Sequence, residues 1–435
     1  MIHALVSLCL LAATPAQETL QPRVLHELSS PAAGDRFGAA LADAGDLDQD
    51  GLSDLIVGSP RSAVYGDNAG NVRIYSGSDG RLLREIQGQP GSHFGSAVAN
   101  PGDIDRDGFP DLLIAAPFGD AFVQLLSGKD GSLLFTFRGN SGSRFGQSVA
   151  GAGDVDGDGV LDVVIGEPQY DTIANNTGRV RVYSGADGSV LHELTGTAPF
   201  DLFGTQVAGA GDVDRDGRAD FLVGAPFTDA KAFNAGGVAI FSGVTGAPLL
   251  AVYGSQMGDQ LGTWLRGGSP AVDVDGDDVP DFSCGIPGAD IPGGPFDAGA
   301  AQIRSGTDGR LLVQAYGPEA GGFAGVVSSP MDCNGDGTGD LVLGAPSALG
   351  NLGMVSLNSG HDGSLILQLN GSQPSGWYGA ALTTLSDVDG DGAPDLAIGA
   401  PGYEDDTTLV GRVYIVSFGN GVPGRRQRGS SPSVR

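Results

Sequence analysis

The chain has 435 residues and a formal net charge of −29, with 52 acidic against 23 basic side chains, 75 glycines and 7% aromatic residues. That balance argues against a nucleic-acid binder, which needs a basic face, and against docking to an anionic membrane. An apolar fraction of 40% suffices for a sizeable core, and no run reaches the ~18 apolar residues of a membrane helix, so no membrane insertion is expected.

The first predicted element is not part of the fold. Ala4 to Ala13 is nearly all apolar, and Thr14-Pro15-Ala16 places small residues before Gln17. Residues 1–16 therefore read as a signal peptide, which removes Cys9 and predicts a secreted, extracellular, cell-surface or periplasmic protein. Residues 17–420 form the domain, and 421–435, with Arg425-Arg426-Gln427-Arg428, form a basic flexible tail.

From residue 22 onward one unit recurs every 51 to 61 residues. Its clearest copy runs Phe203-Gly204, then Gly211-Asp212-Val213-Asp214-Arg215-Asp216-Gly217-Arg218-Ala219-Asp220, then Phe221-Leu222-Val223-Gly224-Ala225-Pro226. Later comes a run such as Val72–Tyr75 or Val180–Tyr183, then an Asp-Gly turn and a fourth run such as Arg81–Ile86. Each run is short, rich in Val, Ile and Leu, and bounded by Gly, Asp, Asn or Pro, which marks antiparallel strands A to D joined by hairpins. Seven four-stranded units bury their faces by stacking radially, so the fold class is all-β, a seven-bladed β-propeller. The last unit stops after strand C at Val413–Phe418, while Val24–Leu28 matches strand D. The ring is thus expected to close by pairing of the chain ends.

Between strands A and B each unit carries Asp-x-Asp-x-Asp-Gly-x-x-Asp. The candidate metal ligands are Asp46, Asp48, Asp50 and Asp54; Asp103, Asp105, Asp107 and Asp111; Asp154, Asp156, Asp158 and Asp162; Asp212, Asp214, Asp216 and Asp220; Asp273, Asp275, Asp277 and Asp281; Asp332, Asn334, Asp336 and Asp340; and Asp387, Asp389, Asp391 and Asp395. Carboxylates this close repel one another by roughly 1–4 kcal/mol per pair, a cost that a cation removes. Hard oxygens at alternating positions suit Ca²⁺, which takes six to eight of them; Mg²⁺ prefers a stricter octahedron, and Zn²⁺ wants His or Cys. Up to seven Ca²⁺ are predicted. Asp278 stands where the other loops have glycine, and Asn334 replaces a carboxylate. The EF-hand reading fails, because no Glu stands at position 12 and no helices flank the loop. Cys284 and Cys333 occupy positions that are aliphatic in other units and read as small buried hydrophobes, with a disulfide between neighbouring units the alternative.

These residues resemble the FG-GAP family, the repeat of the N-terminal propeller of integrin α subunits. Phe37-Gly38, Phe94-Gly95, Phe145-Gly146 and Phe203-Gly204 match FG; Gly224-Ala225-Pro226, Gly344-Ala345-Pro346 and Gly399-Ala400-Pro401 match GAP. Leu261-Gly262, Phe323-Ala324 and Tyr378-Gly379 depart from FG by one letter. The resemblance implies a Ca²⁺-stabilised extracellular propeller engaged in adhesion or ligand binding.

No catalytic constellation accompanies the loops. The five His are scattered, and no Gly-x-Ser-x-Gly elbow occurs. The expected function is a non-catalytic binding or adhesion module, a monomer taking a protein or glycan ligand. A structural surface or matrix component, or a lyase-like propeller acting on polysaccharides, stays open. Strand alternation sends A–B and C–D turns to one rim and B–C and D–A connections to the other. The B–C loops vary and offer Tyr65, Tyr170, Phe227, Phe233, Phe296 and Tyr403 beside Asp67, Asp171, Asp229, Asp290 and Glu404. Variable loops on a rigid scaffold usually carry binding, so the ligand is expected on the rim opposite the metal loops.

Overall fold

The computed structural model describes residues 20–30, 32–171, 174–267, 273–405 and 408–419. The expected signal peptide, 1–16, and tail, 421–435, lie outside the described residues. Seven four-stranded antiparallel sheets form the blades of a propeller. In the first blade, strands A to D are Ala40–Gly45, Asp54–Ser59, Asn71–Tyr75 and Leu82–Gln87.

Alternation of side chains along strand B explains the packing. Leu55 and Val57 face the seventh blade and pack with Leu385, Ala397, Val413 and Ile415. Ile56 faces the second blade, among Leu112, Ile114 and Phe122. Strand B is therefore buried throughout. Each large aliphatic side chain enclosed this way contributes about 1.5–3 kcal/mol. Strand D is the outer edge and keeps only part of its surface covered.

The FG and GAP elements meet at the seams between blades. A Cβ at Gly58 would lie 2.2 Å from the carbonyl oxygen of Gly95 in the next blade, and one at Gly399 would lie 2.2 Å from that of Gly38. Backbone thus sits directly on backbone, and the second of these seams closes the ring. The chain ends close it too: Arg23–Ser29 pairs antiparallel with Arg412–Ser417, in the order 23–29, 412–417, 395–400, 381–385.

Three local features differ from the sequence reading. In the sixth blade Ala324-Gly325, not Phe323-Ala324, takes the FG place. Ala324 bridges Gly299 as Phe94 bridges Gly70, and Phe323 adopts φ 44° and stands 48% exposed. The ring of Trp264 lies against Gly325. A tight turn, Ala348–Asn351, with positive φ at Leu349, Gly350 and Asn351, occupies the B–C loop of that blade, and a small hairpin, Glu404–Asp405 with Thr408–Leu409, that of the seventh. Cys284 and Cys333 are both buried and free, so the disulfide alternative falls.

Candidate metal centres and the opposite rim

Each acidic loop is a tight turn built by its own aspartates. In the first, Asp46 accepts the N–H of Asp50 (3.0 Å) and of Gly51 (2.9 Å), and Asp50 accepts that of Leu52 (3.0 Å). Two residues per loop adopt positive φ. Position 6 is the glycine read from the sequence, Gly51 at 90°, with Asp278 forced to 63° in the fifth loop. Position 4 is the other: Gln49, Arg106, Gly157, Arg215, Gly276, Gly335 and Gly390 lie between 58° and 80°. Its varied residue types hid that second constraint, although the recurrent glycine there was a partial signal.

The ninth position differs from the rest. Asp54, Asp111, Asp162, Asp220, Asp281, Asp340 and Asp395 are completely buried. Asp54 Oδ2 accepts the N–H groups of Leu47 (2.8 Å) and Asp48 (3.2 Å), and its Oδ1 accepts that of Gly77 (3.2 Å) in the C–D turn. The second to sixth blades repeat the tie from the C–D turn through Gly128, Gly185, Gly243, Gly306 and Gly360. In the seventh blade Phe418 stands where Gly77 does, and Asp395 Oδ1 has no partner among the described residues. Burial pushes the carboxyls of Asp54 and Asp395 up to about 7 and those of Asp111, Asp162 and Asp281 up to about 6, against the backbone hydrogen bonds that lower them. Asp220 and Asp340 shift the same way for the same reason.

In five loops these turns bring three of the four predicted ligands together, without Asp54 in the first and without the fifth-position aspartate in the second to fifth. Carboxylate oxygens of Asp103, Asp105 and Asp111 all lie within 4.8 Å of one another, as do those of Asp154, Asp156 and Asp162, of Asp212, Asp214 and Asp220, and of Asp273, Asp275 and Asp281. In the first loop the grouped residues are Asp46, Asp48 and Asp50. Buried oxygens of Asp154, Asp275 and Asp395 have no hydrogen-bond partner among the described residues. Buried unpaired carboxylate oxygens are costly, and a hard divalent cation fits them.

The sixth loop departs furthest. Cys333 Sγ donates to Asp340 Oδ2 at 2.8 Å, and the Asn334 amide reaches Asp340 Oδ1 at 3.4 Å. Donors therefore occupy oxygens that elsewhere face carboxylates. In the first, fifth and seventh loops an arginine pairs with the third-position aspartate: Arg81 with Asp48 at 2.5 Å, Arg310 with Asp275 at 2.7 Å, and Arg23 with Asp389. All three arginines are about half exposed, so these pairs contribute little stability.

The opposite rim separates the B–C aromatics into two groups. Tyr170 lies under the guanidinium of Arg179 (3.5 Å) and Tyr403 under that of Arg412 (3.6 Å), while the Tyr65 hydroxyl donates to Glu85 (3.1 Å). The tyrosines thus pack onto the ends of their blades. Phe227 is also partly buried, whereas Phe233 and Phe296 are 63% and 73% exposed. The D–A loops add exposed Phe200, Met257 and Phe323, which the sequence reading missed. The neighbouring acids mostly hold their own loops: Asp171, Asp229 and Asp290 accept N–H groups from Asn176, Asn234 and Asp297.

Two family models match the chain. The FG-GAP repeat matches residues 145–183, 203–241 and 378–416, and the FG-GAP-like repeat matches 46–114. Among curated proteins, integrin alpha-5 of Xenopus laevis is 35% identical over 46% of this chain and 20% of its own length. Integrin alpha-4 of the same organism is 39% identical over 34% of this chain and 16% of its own. Integrin alpha-8 of Gallus gallus is 30% identical over 54% of this chain and 25% of its own. The chain thus spans a quarter or less of the length of these relatives. Among the described residues no helix is long and apolar enough to cross a membrane.

Proposed function

We propose that this chain, an FG-GAP repeat propeller similar to the N-terminal propeller of integrin α subunits, is a non-catalytic, calcium-binding adhesion module. It acts outside the cytoplasm, and its protein or glycan ligand sits on the rim of the B–C and D–A loops. The observation that carries this reading is the division of labour between the rims. One rim is nearly uniform: seven turns of one design, with 27 of the chain's 52 acidic residues held at the ligand positions. Seven divalent ions there would bring the net charge from −29 to about −15. The other rim is irregular and exposes aromatic and aliphatic side chains.

Exposed Phe233 and Phe296, with Phe200, Met257 and Phe323, form the apolar part of that surface. Single exposed apolar residues are ordinary, but five on adjoining loops of neighbouring blades suit recognition. The carboxylates in register are accounted for as cation ligands and so are not offered as an acid–base pair for polysaccharide chemistry.

A protein and glycan array probed with and without Ca²⁺ tests the function. Expected is a ligand whose capture is lost in the double variant Phe233→Ala, Phe296→Ala, with an unchanged melt. If substitutions among the C–D turns abolish capture while Ca²⁺ stays bound, the ligand face is the metal rim instead.

A further inference from the structure

The first strands of the blades line a cavity of about 770 Å³ on the propeller axis. Strand pairing fixes which residues are equivalent around it. Ala42 pairs with Ile56, Ala99 with Leu113, Ala150 with Val164, Ala208 with Leu222 and Thr383 with Ala397. Each partner stands two residues after its ninth-position aspartate. In the fifth blade the same position is Arg266, paired with Ser283. One full cation therefore stands in a ring of alanines and a threonine. The sequence marks the place as well, since twelve residues separate Leu261 from Asp273 where nine separate Phe203 from Asp212.

Nothing described neutralises this arginine. No carboxylate pairs with it among the described residues, and its one hydrogen bond there runs to the carbonyl of Leu265 at 3.0 Å. The adjacent segment 268–272 contains no acidic residue. Three carboxylates border the cavity, but all are engaged elsewhere. Asp43 accepts from Gly45 (2.7 Å) and Ser53 (3.4 Å). Asp273 and Asp332 accept the amides of their own loops. Burial pulls the Arg266 guanidinium below its usual pKa, with no charge partner to restore it. Arg266 is half-buried on the cavity wall, and a partly desolvated charge without a partner there suggests a ligand that neutralises it.

We propose that the axial cavity is an anion site in which Arg266 takes a small organic carboxylate. A single guanidinium matches one monoanion and presents the fork that a planar carboxylate accepts in two parallel hydrogen bonds. Leu41, Val98, Val149 and Val207 supply apolar wall for the body of such a molecule. A phosphate dianion would find only one positive charge and the same apolar wall.

The test is isothermal titration of the full chain, kept in Ca²⁺, with benzoate and separately with inorganic phosphate. Benzoate is expected to bind once per chain, and phosphate at least about tenfold more weakly, because the second charge of the dianion would stay uncompensated against apolar wall. Arg266→Met should weaken benzoate by about tenfold or more, and Arg266→Lys by a smaller factor, because Lys keeps the charge and loses the fork. Without benzoate, Arg266→Met should melt no lower than the parent, because it removes an unpaired charge. Benzoate should raise the melting temperature of the parent more than that of Arg266→Met. The proposal is overturned by absent benzoate binding, by equal binding in Arg266→Met, or by tighter binding of phosphate. It is equally overturned if Arg266→Met fails to fold, since Arg266 would then be holding the protein together rather than waiting for a ligand.

Discussion

The backbone N–H of Gly77 donates to Oδ1 of Asp54 at 3.2 Å, so the C–D turn of the first blade is tied to the last residue of its acidic loop. Asp54 is a brace as well as a candidate ligand. Removing it leaves three backbone N–H groups unpartnered. The same holds at Asp111, which accepts from Ile104, Asp105 and Gly128.

Asp111→Ala should therefore destabilise the protein even without metal, by about 3 kcal/mol or more at ~1 kcal/mol per stranded donor. Asp105→Ala, at the third position, should cost far less under the same conditions. Denaturant titration of both variants in chelator decides it. Equal losses would mean that the ninth position is only a ligand.

The buried carboxyls give the metal-free protein an unusual pH dependence. Their folded pKa values, about 6 to 7 at five positions, exceed the unfolded value near 4. The folded state then binds more protons between pH ~4 and ~7, so stability falls as pH rises through that window. Calcium acts in the opposite sense, because it needs the ionised form. Chelated protein should melt higher at pH 5 than at pH 7.5, and the gap between calcium-loaded and chelated melts should narrow at pH 5. A gap of equal size at both pH values contradicts this.

The seven loops should not fill together. Asp278 holds a backbone conformation that costs a side-chain-bearing residue free energy, and Asn334 with Cys333 turns donors onto Asp340. The fifth and sixth loops should be the last to fill. Anomalous scattering from crystals at limiting Ca²⁺ reads the occupancies. Asn334→Asp with Cys333→Val should raise the sixth; filling of that loop before the third, in the parent protein, would refute the ranking.

The repeat made most of the architecture legible, because strand order and loop position recur with the motif. The chain-end strand was readable for the same reason: Val24–Leu28 has the strand D pattern and the seventh unit lacks one. Other features depend on three-dimensional register and left little trace. Phe323-Ala324 imitates the FG element, yet the backbone places Ala324 there and turns Phe323 outward. Tyr170 and Tyr403 looked like rim contacts, but each lies under an arginine of strand C, a pairing across the blade that local sequence does not encode. The longer spacing from Leu261 to Asp273 marked the place of Arg266, but strand pairing was needed to align it with four alanines and a threonine.

Closure through the chain ends predicts that residues 22–30 are essential. Six residue pairs join Arg23–Ser29 to Arg412–Ser417, and Glu27 forms an ion pair with Arg412. Deleting 22–30 leaves Arg412–Ser417 as an exposed edge, open to pairing with other chains. Light scattering should show aggregation, and the melt should fall sharply. A truncated chain that stays monomeric and melts like the parent would contradict this closure.

The most direct test of the central claim is the melting temperature in about 1 mM Ca²⁺ against excess chelator at neutral pH. At a dissociation constant near ~10⁻⁴ M, each filled site contributes about 1.4 kcal/mol. Seven sites then supply roughly 10 kcal/mol, comparable with the whole stability of a domain. The account predicts a large, calcium-reversible drop on chelation that Mg²⁺ at the same concentration does not prevent. An unchanged melt in chelator would mean that the seven acidic loops hold no calcium.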